Sequence, residues 1–177
     1  RVKISGNWAY VITDSEDMTL ASDSYTIAID ITNPARPYID STYINTKVNS
    51  RHIDFDIHGE TAYILSQLST GGTPNSISVT KLNLFNSSDL SNNIEVDTLI
   101  QDLGPMTPVS AIGSIKVVGK RVYLVSTHGS PLFVYEDNGD PNAELVSIGS
   151  VALPTDHRGY DLEVSGRYVY VYAFNNA

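Results

Sequence analysis

Ile4-Ser5-Gly6-Asn7-Trp8-Ala9-Tyr10-Val11 is a phrase the chain repeats three times: Ile57-His58-Gly59-Glu60-Thr61-Ala62-Tyr63-Ile64, Val117-Val118-Gly119-Lys120-Arg121-Val122-Tyr123-Leu124 and Val164-Ser165-Gly166-Arg167-Tyr168-Val169-Tyr170-Val171. In front of each glycine the apolar residues alternate. Val2 and Ile4, Phe55 and Ile57, Ile115 and Val117, and Leu162 and Val164 share one face, with Lys3, Asp56, Lys116 and Glu163 between them. A period of two is the period of a strand. The glycine admits the positive φ of a tight connection, and the tyrosine-bearing run behind it supplies a second, more apolar strand. The phrase therefore predicts a hairpin, four times over.

The four glycines are 53, 60 and 47 positions apart, so unit length varies while the phrase stays fixed. Variation of that kind belongs to loops. Behind the phrase, unit one continues with Tyr25–Ile31, the two-proline turn Thr32–Pro37, and Tyr38–Ile44; unit two with Ile77–Leu84 and Ile94–Ile100; unit three with Leu132–Tyr135 and Glu144–Val151. Each unit reads as four short strands. No stretch has a 3.6-residue period; Ser87–Asn93 is short and polar and is predicted as one helical turn at most. The fold class expected is all-β, with propeller blades of four antiparallel strands, about 3.5 of them in one partial propeller. Blade one spans about 1–51, blade two about 52–111, blade three about 112–158, and the start of a fourth about 159–177.

At the level of residues, Ile27-Ala28-Ile29-Asp30-Ile31-Thr32-Asn33-Pro34-Ala35-Arg36-Pro37, Tyr160-Asp161-Leu162-Glu163-Val164-Ser165-Gly166 and the phrase from Val164 to Val171 resemble the LVIVD-repeat type of propeller blade. That resemblance implies a bacterial or archaeal secreted or surface protein. It also implies a blade order of inner strand ending in Ser-Gly, Tyr-rich second strand, third strand ending in Asp, and Asn-Pro turn. Unit one carries all of these. Unit three has Glu136-Asp137-Asn138-Gly139-Asp140-Pro141 in place of the turn, and unit two lacks the prolines.

The chain of 177 residues is 41% hydrophobic, enough to build a core of single-domain size. A net charge of −9 with no run of Lys or Arg argues against nucleic acid or an anionic membrane surface as partner. The absence of cysteine excludes disulfides, thiolate metal sites and a cysteine nucleophile. No apolar run approaches the ~20 residues of a membrane span. The sequence starts at Arg1 and holds fewer than the four to eight blades of a closed ring. It is thus expected to be a processed product or a piece of a larger propeller, or else to close a ring with a second copy.

Candidate site residues come in four groups. The alternating signs of Lys3, Asp56, Lys116 and Glu163 suggest charge pairs between neighbouring inner strands, or otherwise a solvated channel lining. Asp54 and Asp161 stand five residues before their glycines, and His52 and His157 shortly precede the inner strands. Together these four are the catalytic candidates, a carboxylate and histidine set at a channel mouth. The family resemblance implies a structural turn role for the two aspartates instead. Asp137, Asp140 and Glu144 offer oxygens suited to Ca2+, the one cofactor suggested, although Asp-Asn-Gly-Asp is also a preferred hairpin turn. Asn86-Ser87-Ser88 is a glycosylation sequon. The recurring Tyr10, Tyr63, Tyr123 and Tyr170 are expected to pack between blades.

The function these features favour is a non-catalytic extracellular or cell-surface propeller. It would present the loops Ser15–Ser24, Leu68–Ser76 and Gln101–Ser110 to a protein or glycan partner or to copies of itself. The alternatives are a propeller hydrolase or lyase using the channel-mouth set, and a structural subunit of a surface layer or filament.

Overall fold

A computed structural model of the chain describes residues 1–13, 24–45, 50–70, 73–84, 95–102, 113–126, 131–155 and 157–175. These residues form fourteen strands in four antiparallel sheets, none closed on itself, and no helix occurs among them. The first sheet holds β1 (Val2–Ser5), β2 (Trp8–Ile12), β3 (Ser24–Asp30) and β4 (Tyr38–Asn45) in that order. The second holds β5 (Ser50–His58), β6 (Thr61–Thr70), β7 (Thr73–Asn83) and β8 (Glu95–Asp102). The third holds β9 (Gly113–Val118), β10 (Arg121–Ser126), β11 (Pro131–Glu136) and β12 (Val146–Ala152), and the fourth only β13 (His157–Ser165) and β14 (Tyr168–Asn175). Sheet limits therefore place Ser50 and Arg51 with the second unit and His157 and Arg158 with the fourth. Among the described residues no helix is long and apolar enough to cross a membrane.

The repeated phrase makes the same hairpin each time. Ser5 pairs with Trp8, His58 with Thr61, Val118 with Arg121 and Ser165 with Tyr168, each across a two-residue turn. Gly6, Gly59, Gly119 and Gly166 have φ of 58°, 59°, 59° and 59°. Only glycine takes that conformation without strain, which is why this residue recurs while its neighbour varies.

Register decides which side chains share a face. In the first sheet Lys3, Tyr10 and Ala28 lie on one face, and Val2, Val11 and Ile27, with Ile4, Ala9 and Ile29, on the other. Tyr10, Ile12 and Ala28 pack on Phe55, Ala62, Ile64, Leu82 and Leu84 of the second sheet. Tyr63, Leu65, Ile77 and Val79 on its other face pack on Ile115, Val117, Val122 and Leu124 of the third. Val125 and Leu132, with Tyr123 and Val134, then pack on Leu162, Val164, Val169 and Val171 of the fourth. The sheets thus stack in chain order, the tyrosine-bearing face of one on the aliphatic face of the next. Phe55, Ile64, Leu65, Ile115 and Leu124 are wholly buried, each stabilising the stack by about 1.5–3 kcal/mol. At the last junction backbone itself is in contact, since a Cβ built on Gly159 would lie 2.6 Å from Cβ of Val125.

Three expectations change. Tyr10 and Tyr63 are buried and Tyr123 packs at the third interface, but Tyr170 is 59% exposed. Its position is buried where another sheet follows, and among the described residues no sheet covers this face of the fourth. Leu68–Thr70 and Thr73–Ser76 are not loop but the far end of the β6–β7 hairpin, with Leu68 paired to Ser76 and Thr70 to Thr73. His52 and His157 do not precede the inner strands but belong to β5 and β13. Asn86, the segment Ser87–Asn93 and most of the loops 15–24 and 101–110 lie outside the described residues.

Candidate functional site

The inner strands β1, β5, β9 and β13 lie side by side, β5 and β13 each against β9, so residues at equal distance from the four glycines come close together. Three before the glycine, Lys3 Nζ is 3.0 Å from Asp56 and Lys116 Nζ is 2.9 Å from Glu163. Asp56 also accepts the Val117 N–H at 2.9 Å. The Glu163 carboxylate, acting mainly through its hydrogen bond, raises Lys116 above the ordinary lysine range against the opposing effect of burial. Glu163 is 67% exposed, so this pair contributes only ~0.2–1 kcal/mol.

Five before the glycine stand Arg1, Asp54, Ser114 and Asp161. Asp54 is buried and accepts from three donors: the Arg1 guanidinium at 2.9 Å, Ser114 Oγ at 2.9 Å and the Ile115 N–H at 3.0 Å. One carboxylate so ties three sheets together. Asp161, without a sheet beyond it, is exposed and accepts the N–H of its own neighbour Leu162 at 2.8 Å.

The proposed set of Asp54, Asp161, His52 and His157 is not brought together. A bulge after His52 lets it pair with Ser66 while Asp54 pairs with Leu65, so the two fall on opposite faces of the second sheet. His52 is buried near Ser24 between the first two sheets, whereas Asp54 faces the third. The Asp161 strand is separated from the Asp54 strand by β9, and a His157 ring nitrogen meets the Thr155 carbonyl oxygen at 3.0 Å.

A second polar cluster, unforeseen in the sequence, sits between the second and third sheets. Tyr63 donates to Asp137 Oδ2 at 2.7 Å, while Lys81 Nζ donates to Asp137 Oδ1 at 3.3 Å and to the Asp140 carbonyl at 2.7 Å. The Lys81 side chain is 3% exposed. Burial alone would push the Asp137 carboxyl up, but the hydrogen bonds from Tyr63 and the Gly139 N–H and the Lys81 charge outweigh it and hold the group below the usual carboxylate range. Burial, and then the bond to Asp137, push the Tyr63 phenol well above its ordinary value. Asp137 and Asp140, two of the calcium candidates, thus gather around a lysine ammonium, and Glu144 is exposed. Asx turns from Asp137 to Gly139 and from Asp140 to Asn142 shape the segment as a turn. Among the described residues no three His, Asp or Glu side chains form a metal-holding group. A cavity of about 310 Å3 opens beside the cluster, lined also by His58, Thr61 and Lys120.

The register explains the cluster. The N–H groups of Ile31, Leu84 and Asp137 make the same bond to the second turn residue of their own hairpin, Asn7, Glu60 and Lys120. Lys81 stands opposite Tyr63 as Ala28 stands opposite Tyr10. The apolar Ala28 and Leu84 of the first interface are therefore replaced at the second by Lys81 and Asp137.

At the outer face of the fourth sheet, Tyr168, Tyr170 and Tyr172 stand exposed opposite Ser165, Glu163 and Asp161. Tyr160 packs edge-on against Tyr172 with ring centroids 5.8 Å apart. Comparison with family models, curated proteins and solved structures finds no match to this chain.

Proposed function

We propose that the chain is a run of LVIVD-type propeller blades and acts outside the cell as a non-catalytic scaffold that binds protein or glycan partners or assembles with copies of itself. The observation that carries this reading is the use of the inner-strand carboxylates. Asp54 accepts from Arg1, Ser114 and the Ile115 N–H, and Asp56 from Lys3 and the Val117 N–H, so these two carboxylates serve as ties between neighbouring sheets. The equal register of the four hairpins supports blades, and the sequon at Asn86 is consistent with an extracellular setting.

The test is to incubate the chain with a panel of polysaccharides and cell-surface proteins and to read both retention and release of cleaved product. Retention or self-assembly without turnover is expected. Product release that Asp161→Asn or His157→Ala abolishes would overturn the scaffold reading in favour of a hydrolase or lyase.

A further inference from the structure

We infer that the cavity between the second and third sheets is a binding site for a hexuronate residue of a glycan, with Lys81 and Lys120 holding its carboxylate. The inference rests on the scaffold reading and names the chemistry of its glycan partner. Its basis is a set of replacements at one of three like interfaces. At the first interface the positions around the tyrosine are apolar: Trp8 packs on the core that holds Tyr10, Ala28 stands opposite that tyrosine, and Leu84 joins them from the second sheet. At the second interface the same three positions hold Thr61, Lys81 and Asp137, and all three line the cavity of about 310 Å3. At the third the position of Lys81 is apolar again, with Val134 opposite Tyr123. A threonine where the first sheet has an indole makes room. A buried ion pair is no more stabilising than apolar side chains of similar volume, so packing does not account for the exchange. Departures of this kind mark functional sites.

The donors and acceptors left over select the ligand. Both oxygens of Asp137 are occupied, Oδ1 by Lys81 and the Gly139 N–H, Oδ2 by Tyr63. Lys81 gives two of its three donors to Asp137 and the Asp140 carbonyl, so among the described residues one N–H remains for a ligand. Lys120 lines the same cavity as an exposed residue and adds a second ammonium. These donors call for an anion. The charges of Asp137 and Asp140 offset the two lysines, which favours a single negative charge over the double charge of a phosphate. Asp140 Oδ1 accepts the Asn142 N–H, leaving Oδ2 to accept from a hydroxyl, and the Thr61 hydroxyl both donates and accepts. A carboxylate flanked by hydroxyls meets both halves of this set. Small-molecule sites run from about 300 to 1,000 Å3, so the cavity is of the size for a single sugar residue.

Isothermal titration calorimetry of the whole chain tests this with sodium D-glucuronate and D-galacturonate, their uncharged methyl esters, and short oligosaccharides ending in each uronate. Saturable binding of at least one uronate and its oligosaccharide is expected, with the ester weaker by about tenfold or more for the lost charge-assisted contact. Lys120→Ala should weaken the uronate by a similar factor. Thr61→Trp, which copies the first interface, should abolish binding with an unchanged far-UV circular dichroism spectrum. Tyr63→Phe/Lys81→Met/Asp137→Leu removes the buried donor by a different route, so that either variant decides if the other fails to fold. Absence of saturable binding by both uronates, an ester that binds as well as its acid, or binding that survives either variant in folded protein would each overturn the inference. Binding of the free sugar acid with exclusion of the oligosaccharide would overturn the glycan as its source. Retention of a neutral glycan or a protein without uronate binding would overturn the inference and leave the scaffold reading standing. Release of cleaved product from the oligosaccharide would remove the scaffold reading itself.

Discussion

Replacing Asp137 by leucine, the residue found at the equivalent position of the first interface, puts the packing between the second and third sheets to a quantitative test. The substitution leaves the Lys81 ammonium, 3% exposed, without its carboxylate, and the Tyr63 hydroxyl without its acceptor. Breaking a buried pair from one side costs about 3–5 kcal/mol. Removing the charges together reverses most of it. Tyr63→Phe/Lys81→Met/Asp137→Leu is expected within about 1.5 kcal/mol of the wild type, or above it, because an apolar replacement of a buried pair has no desolvation to offset. The assay is urea unfolding followed by far-UV circular dichroism and by the fluorescence of Trp8, the only tryptophan. A loss below about 1 kcal/mol for Asp137→Leu at neutral pH, or single substitutions that simply add in the triple variant, would refute the account.

Three further outcomes follow from described contacts. The lowered Asp137 carboxyl contributes stability that is present above the ordinary aspartate value of about 3.9 and disappears as pH falls through its lower folded value; the raised Tyr63 and Lys116 contribute stability that is present below their ordinary values and lost at more alkaline pH. Acid titration of Asp137→Asn should accordingly lose part of the wild type's decline below pH ~4. Gly159→Ala should destabilise the chain by about 1–3 kcal/mol and speed amide exchange in β13 and β14. Adding Val125→Ala should not rescue it, because the nearest obstructing atom, at 2.6 Å, is the Val125 Cβ itself. Lys116→Glu should lower the unfolding free energy slightly, by under about 1 kcal/mol, and Lys116→Glu/Glu163→Lys should restore only part of it, because the carboxylate at position 116 then faces Asp56 and Asp54 as well.

The hairpins were legible because their cause is local: one backbone conformation that glycine supplies, flanked by a period of two. The tie of Lys3 to Asp56 and of Lys116 to Glu163 could be anticipated for the same reason, since equal distance from a fixed turn becomes equal height in the stack. Arg1 was available by that argument too, five before its glycine like Asp54. The histidine and aspartate set failed because one extra residue at a bulge reverses the face of everything before it, and His52 with Asp54 straddles such a point. Lys81 looks like an ordinary surface charge and Asp137 like a turn or calcium residue, and only the register of three strands shows that both occupy apolar positions. Tyr170 carries the same neighbours in sequence as Tyr10 and Tyr63, and differs only in what lies over it.

The alternation of charge along the inner strands has a bearing on how such a chain can grow or shrink. Its electrostatic repeat is two structural units, not one. Excising the single unit β5–β8 would bring Lys3 up against Lys116, and duplicating it would set one Asp56 beside another, whereas adding or removing units in pairs leaves every neighbour opposite in sign. On this electrostatic ground, gain or loss of sheets in even numbers keeps opposite charges adjacent, at a difference of ~0.2–1 kcal/mol per exposed pair.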